Sequence, residues 1–256
     1  MILTIDIGNT NITLGGFEND RLVALARLST DPHMTADQYA VQISAILKMR
    51  GYSAETIEDA ILCSVVPTVA GSVCGAIQML TQKKPMVLGP GLKTGLNIKI
   101  DNPAQLGADL AAGAVGAIGK YPLPCIIIDM GTATTLSVLS KDGAFLGGAI
   151  AAGIRSTLDA LTAKTAALPP IEIEGPENII GTNTVDSMKA GLVIGAAAML
   201  DGMIDRVEGS LHEKASVVAT GGLAGMVIKH CKREITLDDN LLLEGLLKIY
   251  RKNRQK

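Results

Sequence analysis

The chain has 256 residues, 48% of them hydrophobic, and a formal net charge of -2 from 23 basic and 25 acidic residues. That length and apolar fraction suffice for one large or two modest domains. The near balance of charge gives no pull toward nucleic acid or an anionic membrane. Aromatic residues make up 2%, with no Trp, so base-stacking platforms are not expected. The core is left to Ile, Leu, Val, Ala and Met.

From the N-terminus, Ile2 to Ile7 predicts a strand, Gly8-Asn9 a turn, and Asn11 to Phe17 a second strand. Glu18-Asn19-Asp20 turns again into a third strand, Arg21 to Leu28. Thr35 to Met49 carries apolar residues at helical spacing (Tyr39, Ile43, Ile46, Leu47), and Gly51 stops it. A short buried strand is expected over Ala60–Val66, a helix over Val69–Leu80 and a short strand over Met86–Leu88. Asn102-Pro103 reads as N-cap and first residue of a helix running to about Ile118.

The pattern then restarts. Cys125 to Asp129 is an apolar strand, followed by strands at Thr134–Leu139 and Ala144–Ile150. Gly153 to Ala167 reads as a helix ended by Pro169-Pro170. Ser187 to Val207 is a long helix, apolar on several faces and so expected to be buried. Ala215 to Thr220 is a strand, Gly221-Gly222 opens a further helix, and Asp239 to Arg251 is a terminal amphipathic helix with a charged tail.

The repeat is the main organising signal. Ile5-Asp6-Ile7-Gly8 aligns with Ile128-Asp129-Met130-Gly131. Each is an apolar strand ending in Asp-x-Gly with two more strands behind it. Two α/β halves are expected, residues 1–119 and 120–256, divided near Gly119–Pro124. The four cysteines (Cys63, Cys74, Cys125, Cys231) form no C-x-x-C pair and read as reduced, buried thiols. His33, His212 and His230 lack metal-ligand spacing. Met1 leads straight into Ile2-Leu3-Thr4-Ile5 without a basic segment or cleavage signature. A signal peptide is therefore not expected. Nor is any apolar run expected to span a bilayer, and the chain reads as cytoplasmic.

An Asp at the end of a buried strand sits at the sheet rim, where ligands collect. Gly8 lets the backbone turn so that successive N–H groups point at an anion. Asn9 and Thr10 add short polar donors, and a carboxylate beside phosphates can hold Mg²⁺ or its waters. A plain β-turn uses the same residue types, so the first copy alone decides little. The second copy, Asp129-Met130-Gly131-Thr132-Ala133-Thr134-Thr135, suggests two loops that clasp one polyphosphate. A third glycine-rich turn, Thr220-Gly221-Gly222-Leu223-Ala224-Gly225, opens a helix whose N-terminus favours an anion or a nucleotide.

This order resembles the acetate kinase/sugar kinase/Hsp70/actin superfamily, and within it the type III pantothenate kinase family. The matching stretches are Asp6-Ile7-Gly8-Asn9-Thr10-Asn11, Ser64-Val65-Val66-Pro67, Asp101-Asn102-Pro103 and Gly107-Ala108-Asp109. Further along come Asp129 to Thr135, Gly147-Gly148-Ala149-Ile150, Gly181-Thr182-Asn183-Thr184 and Thr220-Gly221-Gly222. The resemblance implies two duplicated ribonuclease H-like halves, each a mixed five-stranded sheet flanked by helices, with an ATP cleft between them. It implies ATP-dependent phosphorylation of pantothenate, the first step of coenzyme A biosynthesis, by a homodimer using Mg²⁺ and a monovalent cation (K⁺ or NH₄⁺). By the same resemblance Asp6, Ile7, Gly8, Asn9, Thr10, Asn11, Ile12 and Thr13 bind ATP phosphates, with Asp6 on the metal side and Thr132 also on the nucleotide. Asp109 is the catalytic base and Asp129 the monovalent-cation ligand. Gly107, Ala108, Asp109 and Leu110 line the pantothenate site, and Thr184 reaches it across the dimer interface.

Physical reasoning on Asp109 runs the same way. It lies among Ala104, Leu106, Ala108, Leu110 and Ala111, with no Lys or Arg three or four residues away to neutralise it. A carboxylate left beside an alcohol is what a general base needs. Read without the resemblance, the same pattern also describes a solvated carboxylate on an Ala-rich helix.

Departures from the family cluster on the acceptor side. Leu110 stands where the family usually has Arg, Ile100 where it has Tyr, and Ala152-Gly153 where it has Pro-Gly. Losing a charge-assisted bond to a substrate carboxylate costs about 1.5–3 kcal/mol, or about one to two decades of affinity. Three readings follow, in this order. Pantothenate is the acceptor and Lys93, Lys99 or Arg155 supplies the cation. The acceptor is another, less anionic small alcohol. Or the chain is a nucleotide-binding regulatory homologue without turnover. Gly89-Pro90-Gly91-Leu92-Lys93-Thr94-Gly95 fits neither the dinucleotide fingerprint nor the P-loop spacing and reads as a connection.

Overall fold

A computed structural model describes residues 1–254; the last two residues of the expected charged tail lie outside it. In chain order the elements are β1 (Ile2–Ile7), β2 (Asn11–Glu18), β3 (Arg21–Ser29), α1 (Ala36–Met49), β4 (Asp59–Ser64), α2 (Pro67–Thr81), β5 (Met86–Val87) and α3 (Ala108–Ala117). There follow β6 (Cys125–Met130), β7 (Ala133–Leu139), β8 (Phe145–Ala152), α4 (Ile154–Lys164), α5 (Thr184–Lys189), α6 (Gly195–Leu211), β9 (Ser216–Thr220), α7 (Ala224–Val227), β10 (Thr236–Leu237) and α8 (Leu241–Arg254). The chain gathers into two units: residues 1–96, 102–116 and the chain from 241 form the first, and 97–101 with 117–240 the second. The sequence places a single division at 119/120. In the structure the terminal helix instead returns to the first unit, because its apolar face fills one side of that sheet.

The first unit holds a five-stranded sheet in the order β3-β2-β1-β4-β5. β1 pairs antiparallel with β2 and parallel with β4. Successive side chains of a strand face opposite sides. Leu3, Ile5 and Ile7 of β1 and Ala60 and Leu62 of β4 pack with Tyr39, Ile43, Val73 and Ile77 of α1 and α2. The opposite side of β4 presents Ile61 and Cys63, which pack with Ala112 of α3 and Leu246 and Ile249 of α8. Phe17 of β2 meets Leu243 and Leu247 of α8 on that side. The sheet is thus sandwiched between α1/α2 and α3/α8, as burial of two apolar faces requires.

Local signals explain the helix limits. Thr35 and Gln38 form a reciprocal capping box at the start of α1. Pro67 opens α2, where its missing N–H costs nothing.

The second unit repeats the plan. Its sheet runs β10-β9-β6-β7-β8, with β6 antiparallel to β7 and parallel to β9. Ile126, Ile128 and Met130 of β6 and Val217 and Ala219 of β9 pack with Ile154, Leu158, Leu192, Leu200, Ile204 and Val227. The predicted long helix is present. Asn183 caps α5 by accepting from the Asp186 N–H at 3.0 Å, and the π turn Ala190–Ile194 carries it into α6. The continuous run Thr184–Leu211 is long and apolar enough to cross a bilayer by length and composition, against the expectation that no stretch is. Here Met188, Leu192, Val193, Ala197, Leu200 and Ile204 face the core, as in a core helix.

Candidate active site

Alternation along β1 settles where Asp6 goes. Leu3, Ile5 and Ile7 occupy the α1/α2 side, so Asp6 falls on the side of α3 and α8. Its parallel neighbour in register is Cys63, which faces the same way. The Cys63 thiol is fully buried and donates to Asp6 Oδ1 at 3.3 Å. Burial, then the negative charges of Asp6 and of Asp109, push this thiol well above its ordinary range. One buried sulfur therefore lies within electrostatic reach of both carboxylates.

The turn after β1 is closed by the Gly8 N–H donating to the Asn11 carbonyl at 3.0 Å. Asn9, Thr10 and Asn11 are exposed there, while Ile12 is buried and Thr13 half-buried. Thr30 pins this turn from the end of β3. Its hydroxyl donates to the Gly8 carbonyl at 2.7 Å and its N–H to the Thr10 carbonyl at 3.0 Å. The turn sits beyond the carboxyl ends of parallel β1 and β4, where open α/β sheets collect ligands.

The predicted helix from Asn102 to Ile118 forms in two pieces. Asn102 caps a 3₁₀ turn at Pro103–Gln105, Leu106 is extended, and α3 begins only at Ala108. The Asn-Pro signal does start a turn, but the chain breaks before Gly107. Asp109 therefore lies in the first turn of α3, where a carboxylate is favoured by the helix dipole. Its Oδ1 occupies the space a Cβ at Gly107 would fill, and Leu110 lies beside it. Gly107, Ala108, Asp109 and Leu110 are all half-buried.

The close crossing of α3 and α8 holds this helix in place. A Cβ at Gly116 would strike the Leu241 carbonyl, and one at Gly245 the Ala112 carbonyl. Lys248 Nζ donates to the Gly116 carbonyl at 2.9 Å and the Val115 carbonyl at 3.3 Å, supplying a cation to the C-terminus of α3.

In the second unit Asp129 stands opposite Thr220 in register, as Asp6 stands opposite Cys63. Gly221 follows at φ +98°, and a Cβ there would meet Asp129 Oδ1 and the Met130 backbone. Only glycine fits both the left-handed backbone and the close approach. The exposed Thr132 is anchored through its carbonyl, which accepts from the Gly153 N–H at 3.1 Å and the Ser156 hydroxyl at 2.8 Å. The second and third predicted turns thus meet at Asp129. The helix expected after Gly222 is reduced to the four residues of α7 and a 3₁₀ turn at Ile228–His230.

Thr184 is exposed at the start of α5. With Thr157, Leu161, Leu168, Met188 and Leu192 it lines a groove of about 610 Å³ within the second unit. Of the cations considered for the acceptor, Lys99 pairs with Asp142 at 3.7 Å in the second unit and Arg155 is exposed on α4. Lys93 is exposed in the first unit, its N–H donating to Asn253 Oδ1 at 3.0 Å.

Cys63, Thr30, Gly116, Gly245 and Lys248 are the residues sequence reasoning missed here. Each acts on a partner far along the chain, so no local motif marks it. Cys63 and Thr220 share only their register opposite Asp6 and Asp129, which strand pairing and not residue order reveals. Among the described residues, no group of three or more His, Cys, Asp or Glu could hold a metal ion. A Mg²⁺ that arrives with phosphates needs only one or two carboxylates, a requirement that half-buried Asp6 at the strand end fits. Asp129, held against Gly221, offers one carboxylate to a monovalent ion.

The duplicated sheets and glycine turns define a fold class: two mixed five-stranded sheets flanked by helices, shared with sugar kinases. A ROK hexokinase from Thermus thermophilus superposes with a TM-score of 0.54, covering 100% of this chain and 99% of that one at 13% identity. A Campylobacter jejuni protein described as a Baf family transcriptional activator superposes at 0.64, covering 99% and 100% at 18% identity. At such identities these likenesses speak for the fold alone. The family profile of type III pantothenate kinase matches residues 2–206. A type III pantothenate kinase of Geotalea uraniireducens is 41% identical over 255 residues, covering 100% of both chains. The chain belongs to the type III pantothenate kinase family, whose members phosphorylate pantothenate in the first step of coenzyme A biosynthesis.

Proposed function

We propose that this chain transfers the γ-phosphoryl group of ATP to the primary hydroxyl of pantothenate, with Asp109 as the base. The observation that carries this reading is the Asp6 carboxylate seated on the buried Cys63 thiol next to the turn closed by Gly8 and Asn11, with the Asp109 charge acting on the same thiol. The acceptor oxygen attacks the γ-phosphorus and its proton passes to the Asp109 carboxylate. The bond from the γ-phosphorus to the β–γ bridging oxygen breaks, and ADP departs. Such a reaction asks mainly for alignment and charge neutralisation. The 6–13 segment is read as the phosphate cradle, Asp6 as the metal-side carboxylate, Thr132 as a nucleotide contact and Asp129 as the ligand of K⁺ or NH₄⁺. When bound, Mg²⁺ supplies charge neutralisation on the phosphates.

We read the enzyme as a cytoplasmic homodimer without nucleic-acid or membrane partners. Thr184 of one copy would reach the acceptor site of the other. The exposed Ile179 and Ile180 just before Thr184 support a subunit contact there, which sedimentation checks directly. The test of the reaction is ATP consumption with pantothenate, Mg²⁺ and K⁺. Turnover in the wild type that disappears in Asp109→Asn supports it. One observation favours a second reading. Leu110 leaves the Gly107–Leu110 segment without the family's cation, which suits a less anionic alcohol or a regulatory homologue. Nucleotide binding without turnover on any pantothenate-like alcohol would select the regulator.

A further inference from the structure

We infer that Cys63 is a positioning residue for the Asp6 carboxylate. Its thiol proton, donated to Oδ1, fixes the direction in which that carboxylate faces the ligand. The inference rests on the proposed role of Asp6 at the nucleotide and metal.

The geometry on which it stands is local to the first unit. β1 and β4 are parallel neighbours with Asp6 and Cys63 in register. Both fall on the side of the sheet that carries α3 and α8. The sulfur is fully buried and lies 3.3 Å from Oδ1. Cys63 belongs to an apolar cluster with Ile61, Leu88, Ala112, Leu246 and Ile249. A carboxylate at the inner end of a turn has several rotamers available, and a donor from below selects one of them. The second unit repeats the register with a hydroxyl residue, Thr220, opposite Asp129. Two strands related by the internal repeat thus each set a small X–H side chain beside their Asp. Packing alone would be served equally by Ala or Val.

A thiol is a weak donor, so the effect is modest. Replacing it by Cys63→Ala is expected to weaken Mg·ATP binding, and to lower kcat, by about three- to tenfold, the range of one ordinary hydrogen bond, below that of a strong donor to a charged group. The KM for pantothenate stays where it was. Cys63→Ser, and Cys63→Thr borrowed from the second unit, restore most of the loss. Mg·ATP affinity is read by calorimetry, independently of turnover, and melting temperature is recorded for each variant. If Cys63→Ala does not fold, Cys63→Val carries the same test. An unchanged Mg·ATP affinity in the donor-free variant overturns the inference, and so does a Ser variant as impaired as Ala. Asp6→Asn separates this from the site itself. If Asp6→Asn leaves Mg·ATP binding intact, the assignment of Asp6 fails. If it abolishes binding while Cys63→Ala is silent, only the role of Cys63 fails.

Discussion

The two units share one strand order and one Asp at the same strand end, yet they clothe that Asp differently. In the first, the Asp6 side of the sheet is roofed by α3 and α8, and α3 brings a second carboxylate, Asp109, within reach of the same thiol. In the second, Asp129 meets a glycine turn at Gly221, which comes close to its Oδ1. A duplicated scaffold therefore supplies two equivalent rims, and the element laid across each decides its chemistry. One rim gains a second carboxylate; the other gains a glycine turn drawn close around its Asp.

The sharpest test of this contrast is removal of the proposed base. Asp109→Asn is expected to lower kcat by about 10²- to 10⁴-fold, the usual contribution of a general base, with melting temperature unchanged. Similar turnover in wild type and variant would break the comparison, because the roof over the first rim would then carry no chemistry.

Next in size is the roof itself. Gly245→Ala inserts a methyl against the Ala112 carbonyl and forces α3 and α8 apart. A loss of about 1–3 kcal/mol of stability is expected, the common cost of overpacking, together with reduced kcat as Asp109 shifts. Denaturant titration alongside kinetics reads both. Gly113→Ala on α3, where a Cβ has open space, is the control and is expected to leave stability unchanged or slightly raised.

The second unit has its own test of comparable size. Buried Glu208 is opposed by its burial, but the Arg233 and Lys214 side chains and the Ala215 N–H outweigh that and hold its pKa at about 2. A carboxyl depressed on folding stabilises above its unfolded pKa. That contribution is lost as pH falls from the ordinary value of 4.5 toward 2. Glu208→Gln is expected to cost about 2–3 kcal/mol at neutral pH and to flatten the acid limb of the stability curve between those values. A variant that denatures in acid just as the wild type does would assign that limb to other carboxylates.

A gain-of-function change sharpens the acceptor side. Leu110→Arg places a cation beside Gly107 and Asp109, and is expected to lower the KM for pantothenate about tenfold, as one charge-assisted bond would. No change, or lost activity, counts against pantothenate facing this segment. Smallest is Lys248→Met, which removes the cation from the C-terminus of α3. A loss of about 0.3–1 kcal/mol is expected, shrinking at high salt.

Much of the frame is legible in residue order. β1 is bounded as its apolar alternation predicts. α1 ends at Met49 as predicted, and its start at Ala36 lies one residue inside the predicted Thr35, which serves as its cap. The repeated Asp-x-Gly turns mark both rims because a strand end, a carboxylate and a glycine are adjacent in sequence. Asn102-Pro103 is read correctly as a helix start, while the break at Leu106 is not, since nothing local forbids a continuous Ala-rich helix there. The return of α8 to the first unit is likewise hidden, because an amphipathic helix announces an apolar face and not the surface it will cover.

By itself, then, the sequence determined the strands, the duplicated turns, the kinship of the chain and the residue types at its rims. These follow from periodicity and from short motifs whose parts are chain neighbours. The tertiary structure alone decided that Cys63 lies under Asp6, that Gly116 and Gly245 let two helices touch, and that Thr30 ties down the Gly8 turn. Those pairings join residues 22 to 129 positions apart, and only the packing of helices on a sheet brings such distant groups into contact.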